Sequence, residues 1–294
     1  MSGVYEAVAG WARAGFLPAI FVHTFMIRGL LGALLLGPLF GGLGTLVVAR
    51  RMSFFVQAIG NAAMTGTALG LLLGEPPGST WAGLYGFCFA SAILVTFVQH
   101  RGRVPSDTVT GLFLAQTLGL GVLMVALVSK RFDIHQIEGT LFGSLLTLRD
   151  TDLAILLATA VLTALAGGLL YNDLVLASLS PSLAEARGKR PALLDYVFVT
   201  LATAVVVSGL KLVGALLVLV MIVVPAAAAQ NVASNLRQFF FASVALSTLA
   251  AVGGLFLSGF LPVPTGGAIA LVSTALFYLT LAWRPVRRRR EVVS

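Results

Sequence analysis

Three histidines (His23, His100, His135), one cysteine (Cys88) and 11 carboxylates are the chain's stock of general acids and bases, soft metal ligands and thiols. Nearly all the carboxylates fall in loops or at the ends of apolar stretches. Hydrolysis inside a membrane needs paired acids, a Ser–His pair or an HExxH helix to activate a nucleophile. The sequence holds none of these. A gradient-driven carrier buries Asp, Glu or His in mid-span, and no stretch here does so. The phosphate loop GxxxxGK[ST] is also missing. The chemistry left is that of a passage with gates, driven by a gradient or by a partner.

Neutral polar side chains inside the apolar stretches are therefore the candidates for function. Gln57 and Asn61 are four apart and share one helical face, and Thr65 extends the stripe. An unpaired amide in hydrocarbon is costly, so this face must look at protein or water. Two readings are open: hydrogen bonding between packed helices, or the lining of a path. Gln116 with Thr117, and Gln230 with Asn231, are weaker versions of the same signal, for which packing is the default. His135 and Glu138 lie three apart and could share a face, but two ligands do not make a metal site.

The elements that must position these residues are membrane spans. The chain is 58% hydrophobic and 10% charged, too apolar for a soluble protein to cover its core. Nine apolar stretches are each about long enough to cross a bilayer: 27–49, 54–73, 81–99, 107–129, 151–172, 193–210, 213–230, 238–260 and 265–283. The 212–214 region reads equally as a bend within a paired segment. The fold class is thus all-α, a polytopic helical bundle of about 8–9 transmembrane helices. Residues 1–26 read as an amphipathic segment at the interface, 27–283 as the transmembrane domain and 284–294 as a basic tail.

Most of the 19 Lys and Arg collect on one side when the C-terminus is placed inside: Arg50, Arg51, Arg101, Arg103, Arg187, Lys189, Arg190, Arg237, Arg284 and Arg287–Arg290. The positive-inside rule then puts the C-terminus in the cytoplasm and the N-terminus outside. The tail anchors topology on anionic lipid headgroups, so the net charge of +8 calls for no nucleic acid. Gly37 and Gly41 form a small-xxx-small pair that allows close helix approach. Pro38 and Pro225 should kink their spans. Cys88, alone in an apolar span, excludes an internal disulfide.

Two segments between spans have distinct character. Residues 133–150 mix charged and apolar side chains and fit an interfacial helix or shallow re-entrant hairpin. Residues 180–190 (SPSLAEARGKR) carry a helix start, Ser180 before Pro181, and a stop at Gly188. A short capped helix lying on the cytoplasmic surface is an element that a partner can grip.

Five stretches, in order and spacing, resemble the membrane permease subunits of ATP-binding-cassette importers for zinc, manganese and iron. They are FMIRGLLGALLLGPLFGGLGTLVVARRMSFF (25–55), DTVTGLFLAQTLGLGV (107–122), EGTLFGSLLTLRDTDL (138–153), GLKLVGALLVLVMIVVPAAAA (209–229) and LSGFLPVPTGGAIALVS (257–273). The resemblance runs from Phe25 to Trp283. It implies a non-enzymatic, multi-pass subunit of the bacterial plasma membrane without a cofactor. It also implies a second permease copy, cytoplasmic ATPase subunits, an external solute-binding protein and surrounding membrane lipid. It makes Ser180, Pro181, Ser182, Leu183, Ala184, Glu185, Ala186, Arg187 and Gly188 the ATPase-coupling segment; Ser180 stands where the family has an acid.

The chain departs from the family in the second span. After RRMSFF the family carries Gly-Asp-x-x-x-His and then a Pro, with the Asp and His held to bind metal in the pore. Gln57, Asn61 and Thr65 occupy the Asp, His and Pro positions. Neutral amide oxygens are poor ligands for Zn²⁺, which favours imidazole, thiolate and carboxylate. Three outcomes follow: the pore is a weak relay for a divalent ion (zinc or manganese); the cargo is a metal chelate or small organic solute; or the metal site has moved to His23 or His135. Outside the resemblance, a stand-alone channel or carrier is the alternative.

Overall fold

The computed structural model describes residues 24–76, 80–102, 104–128, 150–261 and 263–293. The expectations for His23, His135, Glu138, the first 23 residues and most of 133–150 lie outside them. Ten helices and no strand form these residues: α1 Thr24–Ala49, α2 Ser53–Leu72, α3 Trp81–Gly102, α4 Ser106–Val128, α5 Asp150–Leu179, α6 Pro181–Ala186, α7 Pro191–Val213, α8 Ala215–Val232, α9 Leu236–Phe260 and α10 Thr265–Val293. Eight are long and apolar enough to span a bilayer; the ninth expected span is α8, whose apolar helix Leu217–Val232 is shorter. The expected basic tail is an extension of α10, which continues as helix to Val293.

Gly214 alone separates α7 from α8. Its backbone (φ 86°, ψ 157°) lies in a region that only glycine occupies readily. The junction is a one-residue break, close to the bend expected at 212–214. Pro38 and Pro225 both lie inside continuous helices, α1 and α8.

Burial separates a core from a periphery. In its most apolar window α2 is 78% buried, whereas α5 is 11% buried. Hydrocarbon solvates exposed leucine, so Leu157, Leu162, Leu165 and Leu169 on the open side of α5 carry no penalty there. Close helix approach instead depends on small residues. A Cβ at Gly37 would sit 2.6 Å from Thr248 Cα and one at Gly41 2.6 Å from Val244 Cα. The expected small-xxx-small pair thus forms the α1–α9 contact, sealed by Ser243 Oγ donating to Gly41 O at 2.7 Å. Gly44 does the same toward α8, against Ile222 O.

The α1–α2 turn is a Schellman motif. Met52 N donates to Val47 O and Arg51 N to Val48 O, which places Arg51 at the left-handed position with φ 56°. An L side chain there costs about 1 kcal/mol. Arg51, whose side chain is exposed, should therefore accept glycine: Arg51→Gly is expected to raise the melting temperature of the detergent-solubilised chain by about 1–3 °C. A fall in a thermal scan would show that the side chain makes contacts worth more than the strain.

Candidate transport path and coupling segment

The polar stripe lies on the most enclosed helix, and its neighbours can be placed around the α2 axis. Gly66 and Gly70 face α3, where a Cβ would meet Gly83, Leu84 and Thr80; Gly60 faces Leu210 and Ala215, on either side of the Gly214 break. Gly121 of α4 lies against Asn61 O and Thr65 Oγ1, at 3.7 and 3.6 Å from its would-be Cβ. Three sides of α2 are thus taken by α3, by the α7–α8 junction and by α4. Toward the start of α2, Gln57 is half-buried and Phe54 is 57% exposed.

The three stripe residues therefore have different surroundings. Asn61 is 8% exposed and Thr65 is 1% exposed. Thr65 Oγ1 has no hydrogen-bond partner among the described residues, and neither does Thr67 Oγ1 one half-turn on. Buried hydroxyls in helices usually bond back to a carbonyl three or four residues earlier. Thr117 does so, donating to Phe113 O at 2.7 Å. Thr65 shares the face of Asn61, whereas Thr67 points to the other side of the helix; buried hydroxyls without a partner require an explanation. Thr67 was not singled out from the sequence, because it lies outside the i, i+4 spacing of the stripe.

The weaker sequence candidates divide. Asn231 Nδ2 lies 3.4 Å from Thr280 Oγ1, a packing contact between α8 and α10. Gln116 is exposed on the outer face of α4. A hydroxyl chain that the sequence did not suggest joins three helices: Tyr85 OH lies 2.8 Å from Ser208 Oγ, which donates to Thr159 Oγ1 at 2.9 Å. No spacing in the sequence links its members, which lie among several other polar residues of the same three spans. Among the described residues no group of three His, Cys, Asp or Glu could hold a metal ion.

A separate cleft of about 610 Å³ opens between α1, α5, α7 and α9, lined by Leu39, Leu43, Leu201 and Val244 with Tyr171 and Asn172. None of the stripe residues lines it. Tyr171 OH and Thr45 Oγ1, 3.3 Å apart, close one wall.

The coupling segment forms as a short surface helix. Pro181 occupies the first turn of α6 and Ser180 has extended cap geometry. The Ser180 hydroxyl makes no cap bond; it lies 3.4 Å from Ser182 Oγ. Gly188, at φ 71°, ends the helix in a second Schellman motif, with Gly188 N donating to Glu185 O and Lys189 N to Ala184 O. Ala184 is fully buried and fixes α6 to the bundle, while Ser182, Leu183, Glu185 and Arg187 face outward. Lys189 Nζ then ties the returning chain to α5 by donating to Asp173 Oδ2 at 2.7 Å.

A multi-span helical bundle with a polar stripe on its central helix and a short docked surface helix defines a membrane permease of the importer class. The chain belongs to the ABC 3 transport family, whose pattern matches residues 22–284. It is 27% identical to the manganese transport system membrane protein MntC of Listeria monocytogenes, over 95% of this chain and 99% of that one. It is 28% identical to the high-affinity zinc uptake system membrane protein ZnuB of Haemophilus influenzae, over 88% and 98%. The solved structure of PsaBC from Streptococcus pneumoniae in complex with Fab matches with a TM-score of 0.80 at 27% identity, covering 96% of this chain and 99% of its counterpart.

Proposed function

We propose that this chain is the permease through which an ATP-binding-cassette importer passes a divalent metal ion, manganese or zinc, across a bacterial plasma membrane. Two copies pair, cytoplasmic ATPases dock on α6, and an external binding protein delivers the ion. The C-terminus lies in the cytoplasm. The observation that carries this reading is the stripe Gln57–Asn61–Thr65 on the central helix. It puts two amides within three residues of Gly60, which packs on Ala215 and Leu210 at the broken α7–α8 junction, and turns the orphaned Thr65 hydroxyl toward α4; broken helices are where transporters bind their cargo. Amide and hydroxyl oxygens suit the harder Mn²⁺ better than Zn²⁺, and they act as a weak relay. The same neutral set favours a second reading, in which the cargo is a metal chelate or small organic solute.

The test is ATP hydrolysis and uptake by the reconstituted permease–ATPase complex with its binding protein, titrated with Mn²⁺, Zn²⁺ and Fe²⁺. Stimulation of the wild type by a free ion is expected, with uptake reduced at least tenfold in the Gln57→Leu, Asn61→Leu double variant. If that variant transports normally and melts higher, the stripe is packing. If only the Gln57→Asp, Asn61→His variant responds to ions, the natural cargo is not a free metal.

A further inference from the structure

The end of the bundle next to α6 holds a half-buried charge cluster that the transport path does not use. Arg50, just beyond α1, has a side chain only 7% exposed. Its Nη1 donates to Asp195 Oδ1 in the first turns of α7, its Nη2 donates to Leu174 O of α5 at 3.2 Å, and its guanidinium lies 4.5 Å from the centre of the Phe198 ring. The other oxygen of Asp195 lies 3.2 Å from His100 Nε2 at the end of α3, and the His100 ring stacks on Tyr196. Three side chains, Arg50, Asp195 and His100, thus connect the ends of four helices. α6 hangs between two of them, packed on α5 and α7, with the Lys189–Asp173 pair on its far side.

An ion pair with Asp195 25% exposed is a poor way to gain stability, because desolvation and solvent screening offset the attraction; its use is to specify geometry. Arg50 Nε is also buried and has no acceptor among the described residues. A guanidinium with an unused buried donor is suited to a second arrangement, in which helices shifted by a fraction of a turn offer it a different carbonyl.

We propose that Arg50 and Asp195 are positioning residues of the transport cycle: their ion pair holds the ends of α1, α3, α5 and α7 as one plate around α6, so that displacement of α6 reaches α1 and, through the turn at Arg51, the stripe on α2. The proposal rests on the permease reading for its role in transport, but the mechanical link stands on geometry alone. Removing the pair frees α6 to move without carrying α1 and α2.

Two measurements test it, on the full chain and on its assembled complex. On a Cys88→Ala background, spin labels on exposed Glu185 (α6) and Arg101 (end of α3) report their distance in nanodiscs. The unaltered pair should give one narrow distribution. Asp195→Asn, which keeps the shape, and Arg50→Lys, which keeps the charge but not the fork, should each broaden it, and the double variant should broaden it no further. In the complex, ATP hydrolysed per ion taken up should rise at least tenfold in the same variants at equal amounts of folded complex. A merely structural role would lower the yield of complex and leave that ratio unchanged. An unchanged distance distribution in Asp195→Asn, or broadening that adds in the double variant, overturns the proposal. If the wild-type complex moves no metal, the free-ion reading fails and the distance measurement alone decides the link.

Discussion

Valine at position 214 is expected to reduce uptake to background and to lower the apparent melting temperature by about 2–10 °C, from a backbone strain of about 1–3 kcal/mol. The φ of 86° and ψ of 157° at Gly214 clash with any Cβ, and a β-branched residue is the least tolerant. The two bonds that frame the junction, Gly214 N to Leu210 O at 2.8 Å and Val218 N to Gly214 O at 3.2 Å, have the α-helical i→i−4 spacing and would survive straightening; what straightening removes is the change of direction between α7 and α8. Straightening would also swing Ala215 away from Gly60, which lies between Gln57 and Asn61 in the sequence. Alanine at 214 should give a milder loss of the same sign. Uptake in vesicles together with a thermal scan separates the two effects. Full uptake in Gly214→Val would remove the break from the mechanism.

The second large effect is expected at α6 and leaves the fold intact. Leu183 is 48% exposed on a six-residue helix, next to the buried methyl of Ala184. A large aliphatic side chain left uncovered there is suited to anchor a partner, which on the proposed permease reading is the ATPase, and a charge in such a contact costs about 2 kcal/mol or more, roughly thirtyfold in affinity. Leu183→Asp should therefore abolish co-purification of the ATPase and metal-stimulated hydrolysis, with the melting temperature of the isolated permease within about 1 °C of wild type. Retention of the ATPase at normal stoichiometry would move the coupling contact away from α6.

How far the sequence foretold this arrangement differs between backbone and side chains. Span positions follow from hydropathy because hydrocarbon leaves the backbone no alternative to a closed helix. Gly188 as a stop and Gly37–Gly41 as a contact followed from local rules, since a left-handed cap and a close approach are properties of one residue and its near neighbours. Ser180 met the rule for a cap in its backbone only. The Arg50–Asp195–His100 cluster was invisible, because its members lie 50 to 145 residues apart and each reads singly as a topology charge at a span end. The stripe was legible as a shared face of α2, but which side of it stays open depends on where α3, α4 and the Gly214 junction pack, and no periodicity in α2 carries that information.

The glycine groove of α1 has a consequence for the order in which the molecule can be built. The helix it receives contributes Ser243 to Gly41, a partner 202 residues later in the chain. At about 5–20 residues per second, roughly 10–40 s pass between synthesis of the two. During that interval α1 sits in the bilayer with its small residues facing lipid, and the Gly41 carbonyl keeps its helical bond but lacks the second one that Ser243 adds. The glycine face of α1 is thus among the last surfaces to be covered. A chain stopped before α9 would still hold α1 through its contacts with α5, α7 and α8, but with that face open to lipid, and quality-control proteases would find such truncated chains open on that side.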